Sequence, residues 1–236
     1  MKDRPKTYAP AAGPAAPPRR RILVIDDHPF MRAGLAQLID RQADMQVCGE
    51  AGSAAEAVRE LARCAPDLVL TDITMPGRSG LEFIKDLLAT GSKLPVLVVS
   101  MHDESIYAER VLRAGARGYI MKEAGGDKLL AAIRQIMRGE VYLSPAMAAR
   151  ILENLSGRRP RGSSSPIEKL TDREFEVFQL IGQGKSTRDV AEQLHLSVKT
   201  VDVHRSHIKA KLALKDSTAL VRHAVRWVET QGLDPQ

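Results

Sequence analysis

The sequence predicts an α/β domain with a doubly wound, parallel five-stranded sheet, followed by a small all-α domain. Between residues 22 and 138, short apolar runs bounded by turn residues alternate with stretches of helical periodicity. Residues 158–166, RRPRGSSSP, have no periodicity and are typical of a boundary between domains. From residue 167 onward, apolar residues recur at helical spacing alone. Strands that alternate with helices form parallel sheets covered on both faces, which defines the first domain.

Each element of the first domain is predicted from its own residues. The strands are short apolar runs that end in turn or charged residues, and we expect them at 22–25, 45–50, 68–72, 95–100 and 118–122. The helices between them carry apolar residues three and four positions apart, and we expect them at about 31–39, 54–64, 81–88, 107–114 and 129–137. Five such strand–helix units imply an open parallel sheet.

The second domain is predicted to contain four helices. Thr171 and Glu174 form a capping box, and Leu170 is placed to pack against Phe175 across it, so the first helix begins there. It ends at the glycines of positions 182 and 184, and a short second helix opens at position 186. Ser197 caps a third helix that runs to about position 212, and a fourth spans about 217–228.

Composition limits the classes to which the chain can belong. The 236 residues are 44% hydrophobic, which supports two packed domains, and no apolar stretch approaches the roughly 18 residues of a membrane helix. Residues 1–21 are rich in Ala and Pro and lack an apolar core, so we expect a disordered basic tail and not a signal peptide. Cys48 and Cys64 have no metal-ligand spacing, which favours free thiols in a reducing cytoplasm.

Charge is distributed differently between the two domains. Residues 22–157 contain 18 acidic and 15 basic residues, whereas residues 158–236 contain 10 acidic and 14 basic residues. An acidic first domain and a basic second domain suggest different partners for each, although a basic surface can also serve solvation alone.

Polar residues follow four of the predicted strands. Asp26 and Asp27 come after the first strand, Asp72 after the third, Ser100 after the fourth and Lys122 after the fifth. The carboxyl ends of parallel strands meet at one edge of the sheet, where such folds bind ligands. Taken singly, the aspartate pair could cap a helix, Ser100 could be a turn residue and Lys122 a solvated strand end. Their joint placement favours a binding site.

The chemistry of that set suits a divalent cation and a phosphoryl group. Three carboxylates repel one another unless a cation lies among them, and hard oxygen ligands suit Mg²⁺. Pro76 and Gly77 hold the loop after Asp72 open, so its carboxylate could attack phosphorus as a nucleophile. Lys122 could neutralise one phosphoryl oxygen and Ser100 could donate a hydrogen bond to another.

This set, with Met75-Pro76 and Gly80 after the central aspartate, resembles the flavodoxin-like receiver domain of two-component response regulators over about residues 22–138. The resemblance implies that Asp72 accepts a phosphoryl group from a sensor histidine kinase, with Mg²⁺ held by Asp26, Asp27 and Asp72. It also implies that Ser100 moves towards the phosphoryl group and that Tyr119 swings inward with it. Ordinary core packing is the alternative role for Tyr119.

The predicted helix after Ser197 has two faces. Val201, Ile208 and Leu212 are spaced for packing against the domain. The other face is polar, and a helix pair with a short turn can place such a face in the major groove of double-stranded DNA. On it, Lys199 and Lys209 would bind phosphates, and the residues that could meet base edges are Thr200, Asp202, Val203 and Ser206. A solvated helix face in a small bundle is the alternative.

Residues 168–230 are similar to the LuxR-type helix-turn-helix of NarL/FixJ response regulators. The matching positions are Leu170, Thr171, Arg173, Glu174, Gly184, Ala191, Leu194, Ser197, Thr200, Val201, His204, Lys211 and Leu212. Thr187, Asp202 and His207 depart from the pattern, and the carboxylate of Asp202 argues against borrowing a target sequence from relatives with lysine there. The resemblance implies that the last helix forms the dimer contact, for which Val221, Val225 and Val228 offer an apolar stripe.

The sequence therefore predicts a cytoplasmic, phosphorylation-controlled transcription regulator that is a homodimer when phosphorylated and does not bind membranes. The expected divisions are a tail at 1–21, a receiver at 22–138, a linker at 139–167, the DNA-binding domain at 168–230 and a tail at 231–236. An alternative is a phosphatase, but Thr74 and His28 stand where its general acid would follow Asp72 or Asp26, so we expect no enzyme. Another is a DNA-binding protein with an inert or ligand-gated receiver.

Overall fold

The computed structural model describes residues 18–155 and 166–230 of the chain. Its first domain contains five strands and five helices in alternation. In chain order they are β1 (Arg20–Ile25), α1 (Pro29–Asp40), β2 (Met45–Ala51), α2 (Ala54–Cys64), β3 (Leu68–Thr71), α3 (Gly80–Ala89), β4 (Val96–Ser100), α4 (Glu104–Arg113), β5 (Gly118–Met121) and α5 (Gly126–Met137). All strand pairs are parallel, in the order β2-β1-β3-β4-β5. The predicted α/β doubly wound fold is confirmed.

The sheet separates two apolar layers because alternate residues of each strand point to opposite faces. On one face, Ile22 and Val24 of β1 pack with buried residues of α1 and α5. On the other, Leu23 and Ile25 pack with residues of α2, α3 and α4. Burial of both faces explains why these strands read as continuous apolar runs in the sequence.

The chain beyond α5 stays attached to the first domain. Tyr142 forms a parallel bridge with Gly118 at the edge of β5. Helix α6 (Pro145–Leu155) then packs on α4, with Met147 buried. The first part of the predicted linker is thus built onto the α/β domain, whereas most of the RRPRGSSSP stretch lies outside the described residues.

The predicted tail at residues 1–21 extends too far along the chain. Residues 1–17, and the predicted tail at 231–236, lie outside the described part of the structure. Arg20 and Arg21, however, already belong to β1, and Arg19 donates hydrogen bonds to the carbonyl oxygens of Asp40 and Gln42 at 2.9 and 2.7 Å. Arg20 and Arg21 thus belong to an inner strand of the sheet, Arg19 is held by its contacts at the end of α1, and none of the three is part of a free basic tail.

The second domain contains α7 (Asp172–Gly182), α8 (Thr187–Gln193), α9 (Val198–Lys211) and α10 (Ser217–Thr230). The predicted caps are confirmed, because Thr171 and Glu174 form a complete capping box and the Ser197 hydroxyl accepts from the Thr200 amide. The turn between α8 and α9 contains His195 in a left-handed conformation with φ of 53°. Within residues 18–155 and 166–230, no helix is long and apolar enough to cross a membrane.

Candidate functional site

The predicted acidic residues meet at the carboxyl ends of β1 and β3. Ligand atoms of Asp26, Asp27, His28 and Asp72 all lie within 4.8 Å of one another. The side chains of Asp26 and Asp72 are almost fully buried, whereas Asp27 is half-buried at the mouth of the cluster. Carboxylate oxygens at this density fit a hard divalent cation such as Mg²⁺. His28 was not predicted to belong to this site, although it directly follows the aspartate pair in the sequence.

Lys122 bridges two of the buried carboxylates. Its ammonium nitrogen lies 2.7 Å from Asp26 Oδ2 and 2.7 Å from Asp72 Oδ2, and its side chain is only 3% exposed. Burial alone lowers the pKa of Lys122, but the facing carboxylates of Asp72 and Asp26 outweigh that effect and leave the pKa raised. Lys122 therefore carries its charge and offsets the repulsion between the two aspartates.

The two oxygens of Asp72 have different surroundings. Oδ1 accepts hydrogen bonds from the backbone amides of Ile73 at 2.6 Å and Thr74 at 3.4 Å, and Oδ2 accepts from Lys122 at 2.7 Å. Burial raises the pKa of Asp72, against the opposing effect of Lys122. The backbone turns tightly here, because a side chain at Gly80 would meet the carbonyl oxygen of Asp72 at 1.9 Å. Glycine at position 80 lets α3 begin directly beside the aspartate.

Ser100 and Tyr119, the predicted switch residues, are both linked to His102. Ser100 is fully buried, and its hydroxyl accepts from the His102 amide at 3.3 Å. Tyr119 is also fully buried and donates its hydroxyl to the His102 carbonyl at 2.6 Å. The His102 ring nitrogen Nε2 lies 2.9 Å from the hydroxyl of Thr74, in the loop after Asp72. Burial lowers the pKa of His102 to about 4, so this ring is neutral at physiological pH.

The polar face of α9 is open to solvent along most of its length. Lys199, Asp202, Val203 and Ser206 are exposed, and Thr200 and Lys209 are partly exposed. Val201 and Ile208 are fully buried, as the two-faced pattern predicts. The hydroxyl of Ser206 donates to the carbonyl of Asp202 at 3.0 Å, so it retains acceptor capacity for a partner.

Two of the departures from the LuxR-type pattern have structural partners. The hydroxyl of Thr187 accepts from Arg205 at 2.6 Å, which joins α8 to α9. His207 lies 3.7 Å from Glu174, and that carboxylate also accepts from Lys211 at 2.5 Å. These residues hold the helices of the domain together.

The predicted apolar stripe on α10 is wrong at one position. Val221 is exposed and Val225 is half-buried, but Val228 is 1% exposed and packs within its own domain. Its side chain fills the space above Gly182, where an added Cβ would lie 2.5 Å from Val228 Cγ2. Val228 therefore belongs to the core of the domain and is not available to a second chain.

The two domains contact each other through α7. Asp172 accepts from Lys85 of α3 at 2.6 Å and from Arg110 of α4 at 3.3 Å. The Arg110 guanidinium also stacks on the Phe175 ring, 3.8 Å from its centroid. Every residue of α7 is buried. The second domain is thus packed on the α3–α4 side of the first, in what we call the closed arrangement.

Two further contacts tie this interface to the acidic site. His195, in the turn before α9, places Nε2 at 3.1 Å from Oδ2 of Asp27. Tyr107 of α4 donates its hydroxyl to Gln179 of α7 at 2.8 Å, and its ring stacks on His102 with centroids 4.8 Å apart. No sequence pattern predicted these contacts, because their partners lie 72 and 168 positions apart.

Fold and sites together define a two-domain regulator, with an acidic receiver domain joined to a helix-turn-helix domain. Residues 22–134 match the response regulator receiver domain, and residues 168–224 match the bacterial regulatory proteins of the luxR family. The chain belongs to the NarL/FixJ-type two-component response regulators with a LuxR-type DNA-binding domain.

A relative that matches over nearly its whole length supports this assignment, and two solved structures resemble the chain in fold. The oxygen regulatory protein NreC of Staphylococcus carnosus is 34% identical over 210 residues, which cover 87% of this chain and 97% of NreC. A LuxR-family two-component response regulator from Aurantimonas sp. is 34% identical with a TM-score of 0.55, covering 59% of this chain and 99% of that one. RcsB from Salmonella enterica serovar Typhimurium, solved bound to the promoter rprA with the phosphomimetic BeF₃⁻, shares the fold at 22% identity. Its TM-score is 0.58, and the match covers 88% of this chain and 99% of RcsB.

Proposed function

We propose that Asp72 is phosphorylated by a sensor histidine kinase, with Mg²⁺ held by Asp26, Asp27 and Asp72, and that phosphorylation releases the second domain to bind promoter DNA as a dimer. The observation that carries the proposal is the acidic cluster itself, whose ligand atoms lie within 4.8 Å of one another, with Lys122 bridging its two buried members. A cytoplasmic location follows from the DNA partner.

The chemistry requires little beyond positioning. An oxygen of Asp72 attacks the phosphorus of a phosphohistidine, the new O–P bond forms as the N–P bond breaks, and the imidazole leaves with the bonding electrons. When bound, Mg²⁺ supplies positive charge to the phosphoryl oxygens. Lys122, already 2.7 Å from Asp72 Oδ2, is placed to pair with a phosphoryl oxygen, and Ser100 at the end of the neighbouring strand can donate to another. One phosphoryl group per chain, without turnover of a phosphate ester, is the expected stoichiometry.

The route from the acidic site to the second domain follows contacts that the phosphoryl group would disturb. Thr74, beside Asp72, contacts His102, which stacks on Tyr107, and Tyr107 donates to Gln179 of α7. Asp27, on the other side of the site, contacts His195. A cation held by Asp27 would compete with His195 for the same carboxylate. The charge of the added phosphoryl group would also shift the equilibrium between the closed arrangement and an open one. Both effects favour separation of the domains.

The contact at His195 also gives the closed arrangement a reason to hinder DNA binding. In helix-turn-helix proteins, the N-terminal residues of the second helix contact the base edges. His195 lies in the turn just before α9 and contacts Asp27 of the receiver domain. The receiver domain therefore lies next to the N-terminal end of α9, which must enter the major groove. In the proposed open form, Lys199 and Lys209 bind phosphates, while Thr200, Asp202, Val203 and Ser206 face base edges. The α10 residues proposed for the dimer contact are Val221 and Val225.

The first test is the intact mass of the full chain after incubation with a small-molecule phosphodonor, with and without Mg²⁺. We expect a gain of about 80 Da, one phosphoryl group, when Mg²⁺ is present. We expect no gain when Mg²⁺ is absent or is chelated with EDTA during the incubation. Asp72→Asn should abolish the gain and leave the far-UV circular dichroism spectrum unchanged. Asp127→Asn, at an exposed aspartate of α5, is the matched control and should label normally. Labelling retained in Asp72→Asn would reject the site, and labelling independent of Mg²⁺ would reject the metal.

A further inference from the structure

The two cysteines lie against each other in the folded receiver domain. The sulfur of Cys48 in β2 is 2.8 Å from the sulfur of Cys64 at the end of α2. That separation is about 0.8 Å longer than the ~2.05 Å of a disulfide bond, so small side-chain adjustments would join them. Cys64 is buried and Cys48 is half-buried, so Cys48 is the more exposed of the two residues.

A β-bulge in β2 creates this juxtaposition. Ile22 of β1 pairs with Val47, but the next residue, Leu23, pairs with Gly49, so Cys48 is the extra residue. Strict alternation would send Val47 and Cys48 to opposite faces and return Gly49 to the face of Val47. The bulge instead leaves both Cys48 and Gly49 on the α2 side, where a Cβ on Gly49 would lie 3.2 Å from the Cys64 sulfur. Glycine there makes room for the pair.

The ends of both elements are held in place around the sulfurs. Arg63 donates to the Cys48 carbonyl oxygen at 3.0 Å and is also ion-paired with Glu60, one turn earlier in α2. Helix α2 ends just after Cys64, at Ala65, which has a left-handed φ of 36° and donates its amide to the Leu61 carbonyl. The backbone thus fixes the distance between the cysteines before any bond forms, and this raises the effective concentration of one thiol at the other.

We propose that Cys48 and Cys64 form a reversible intramolecular disulfide in the folded receiver domain when the protein meets a low-molecular-weight disulfide oxidant. The Cys48 thiolate attacks one sulfur of the oxidant, breaking its S–S bond, and forms a mixed disulfide as the first small thiolate leaves. The Cys64 thiolate then attacks the Cys48 sulfur and expels the second small thiolate. The protein loses two electrons and two protons, and the oxidant is reduced to two thiols.

The local environment sets the pace of this reaction and its consequence. Burial and the hydrogen bond with Cys64 raise the pKa of Cys48 to about 12, so little thiolate is present at neutral pH and the exchange is slow. The disulfide would tie the end of α2 to the edge strand β2 and close a loop with a sequence separation of 16. Such a loop restricts the unfolded chain, so the thermal midpoint of the receiver domain should rise on the order of 10 °C on oxidation.

The test uses the full chain equilibrated for many hours with oxidised and reduced glutathione at a series of ratios. Samples are quenched with acid, denatured and alkylated with N-ethylmaleimide, and intact mass then counts free thiols and glutathione adducts. A parallel series in concentrated urea gives the reference for the unfolded chain. We expect the thiol–disulfide equilibrium constant of the folded protein to exceed that of the unfolded protein by about tenfold or more. Equal or smaller constants for the folded protein would overturn the proposal.

Single-cysteine variants identify the product. Cys48→Ser and Cys64→Ser should each give a free thiol or a mixed disulfide with glutathione. Neither variant should give the intramolecular disulfide, which is the species that carries neither N-ethylmaleimide nor glutathione. Disulfide-linked dimers of the wild-type chain on non-reducing gels, in place of the intramolecular species, would also contradict the proposal. None of these measurements depends on phosphorylation or DNA, so their outcome is independent of the regulatory function proposed above.

Discussion

The hydroxyl of Tyr107 offers the sharpest test of the closed arrangement. This oxygen donates to Gln179 across the domain interface at 2.8 Å, while the ring packs on His102 and Phe175 at centroid distances of 4.8 and 5.5 Å. Tyr107→Phe removes the hydroxyl and keeps both ring contacts. In the closed form it leaves the Gln179 oxygen without its buried donor, whereas in the open form Gln179 is solvated.

A hydrogen bond of this kind contributes about 0.5–1.5 kcal/mol net, which corresponds to about a twofold to twelvefold change in the closed-to-open equilibrium. While the closed form predominates, DNA affinity scales with the open fraction. We therefore expect unphosphorylated Tyr107→Phe to bind a selected duplex about twofold to twelvefold more tightly than the wild type, measured by fluorescence anisotropy. Phosphorylation should remove the difference, because both proteins are then open.

Tyr142→Phe serves as the matched control, since Tyr142 lies beside β5 and its backbone, not its hydroxyl, makes the bonds to that strand. It should leave the DNA affinity of the unphosphorylated protein unchanged. An affinity of Tyr107→Phe equal to or weaker than that of the wild type, in a variant with an unchanged thermal midpoint, would show that this interface does not restrain DNA binding.

Two further predictions address the second domain. Lys199→Ala should weaken binding to all duplexes and reduce the slope of log affinity against log salt concentration by about 1. The control Lys128→Ala, in the receiver, should leave the slope unchanged. An unaltered slope for Lys199→Ala would show that this lysine does not contact DNA. Burial raises the pKa of Glu176 to about 7 from an ordinary value of 4.5, against the opposing effect of Arg173. The folded chain thus holds a proton that the unfolded chain releases, so stability should fall by about 3 kcal/mol as pH rises from about 4.5 to about 7. Glu176→Gln should abolish this decline in urea unfolding, and an unchanged pH profile would contradict the assigned pKa.

The receiver site could be predicted from the sequence because it depends on strand ends. Once the apolar runs at 22–25 and 68–72 are identified as parallel strands, topology alone brings Asp26, Asp27 and Asp72 to one edge. Lys122 follows by the same rule from the fifth run. The bounds of α2 were equally predictable, since the helical spacing of apolar residues over 54–64 was sufficient to place the helix that the structure shows at Ala54–Cys64. Local signals and strand order were sufficient for these features.

Features that depend on tertiary packing could not be predicted in this way. Val228 continues the apolar spacing of α10, and spacing does not distinguish a face turned towards the domain's own core from one turned towards a partner. The distinction came from Gly182, 46 positions away, whose missing side chain makes room for it. His102 was overlooked for a similar reason, because its contacts with Thr74 and Tyr107 arise only when the loops after β3 and β4 are folded together.

The placement of His195 has a thermodynamic consequence for the proposed regulation. Asp27 contacts His195 at 3.1 Å in the closed arrangement and is also one of the carboxylates proposed to hold Mg²⁺. If cation binding weakens this contact and thereby favours DNA binding, linkage requires that DNA binding favour the cation by the same factor. A duplex carrying the target site should therefore lower the Mg²⁺ concentration needed for half-maximal binding to the unphosphorylated protein. Binding at the acidic site and binding of DNA by α9 would then be thermodynamically coupled through His195, a residue of the turn in the helix-turn-helix.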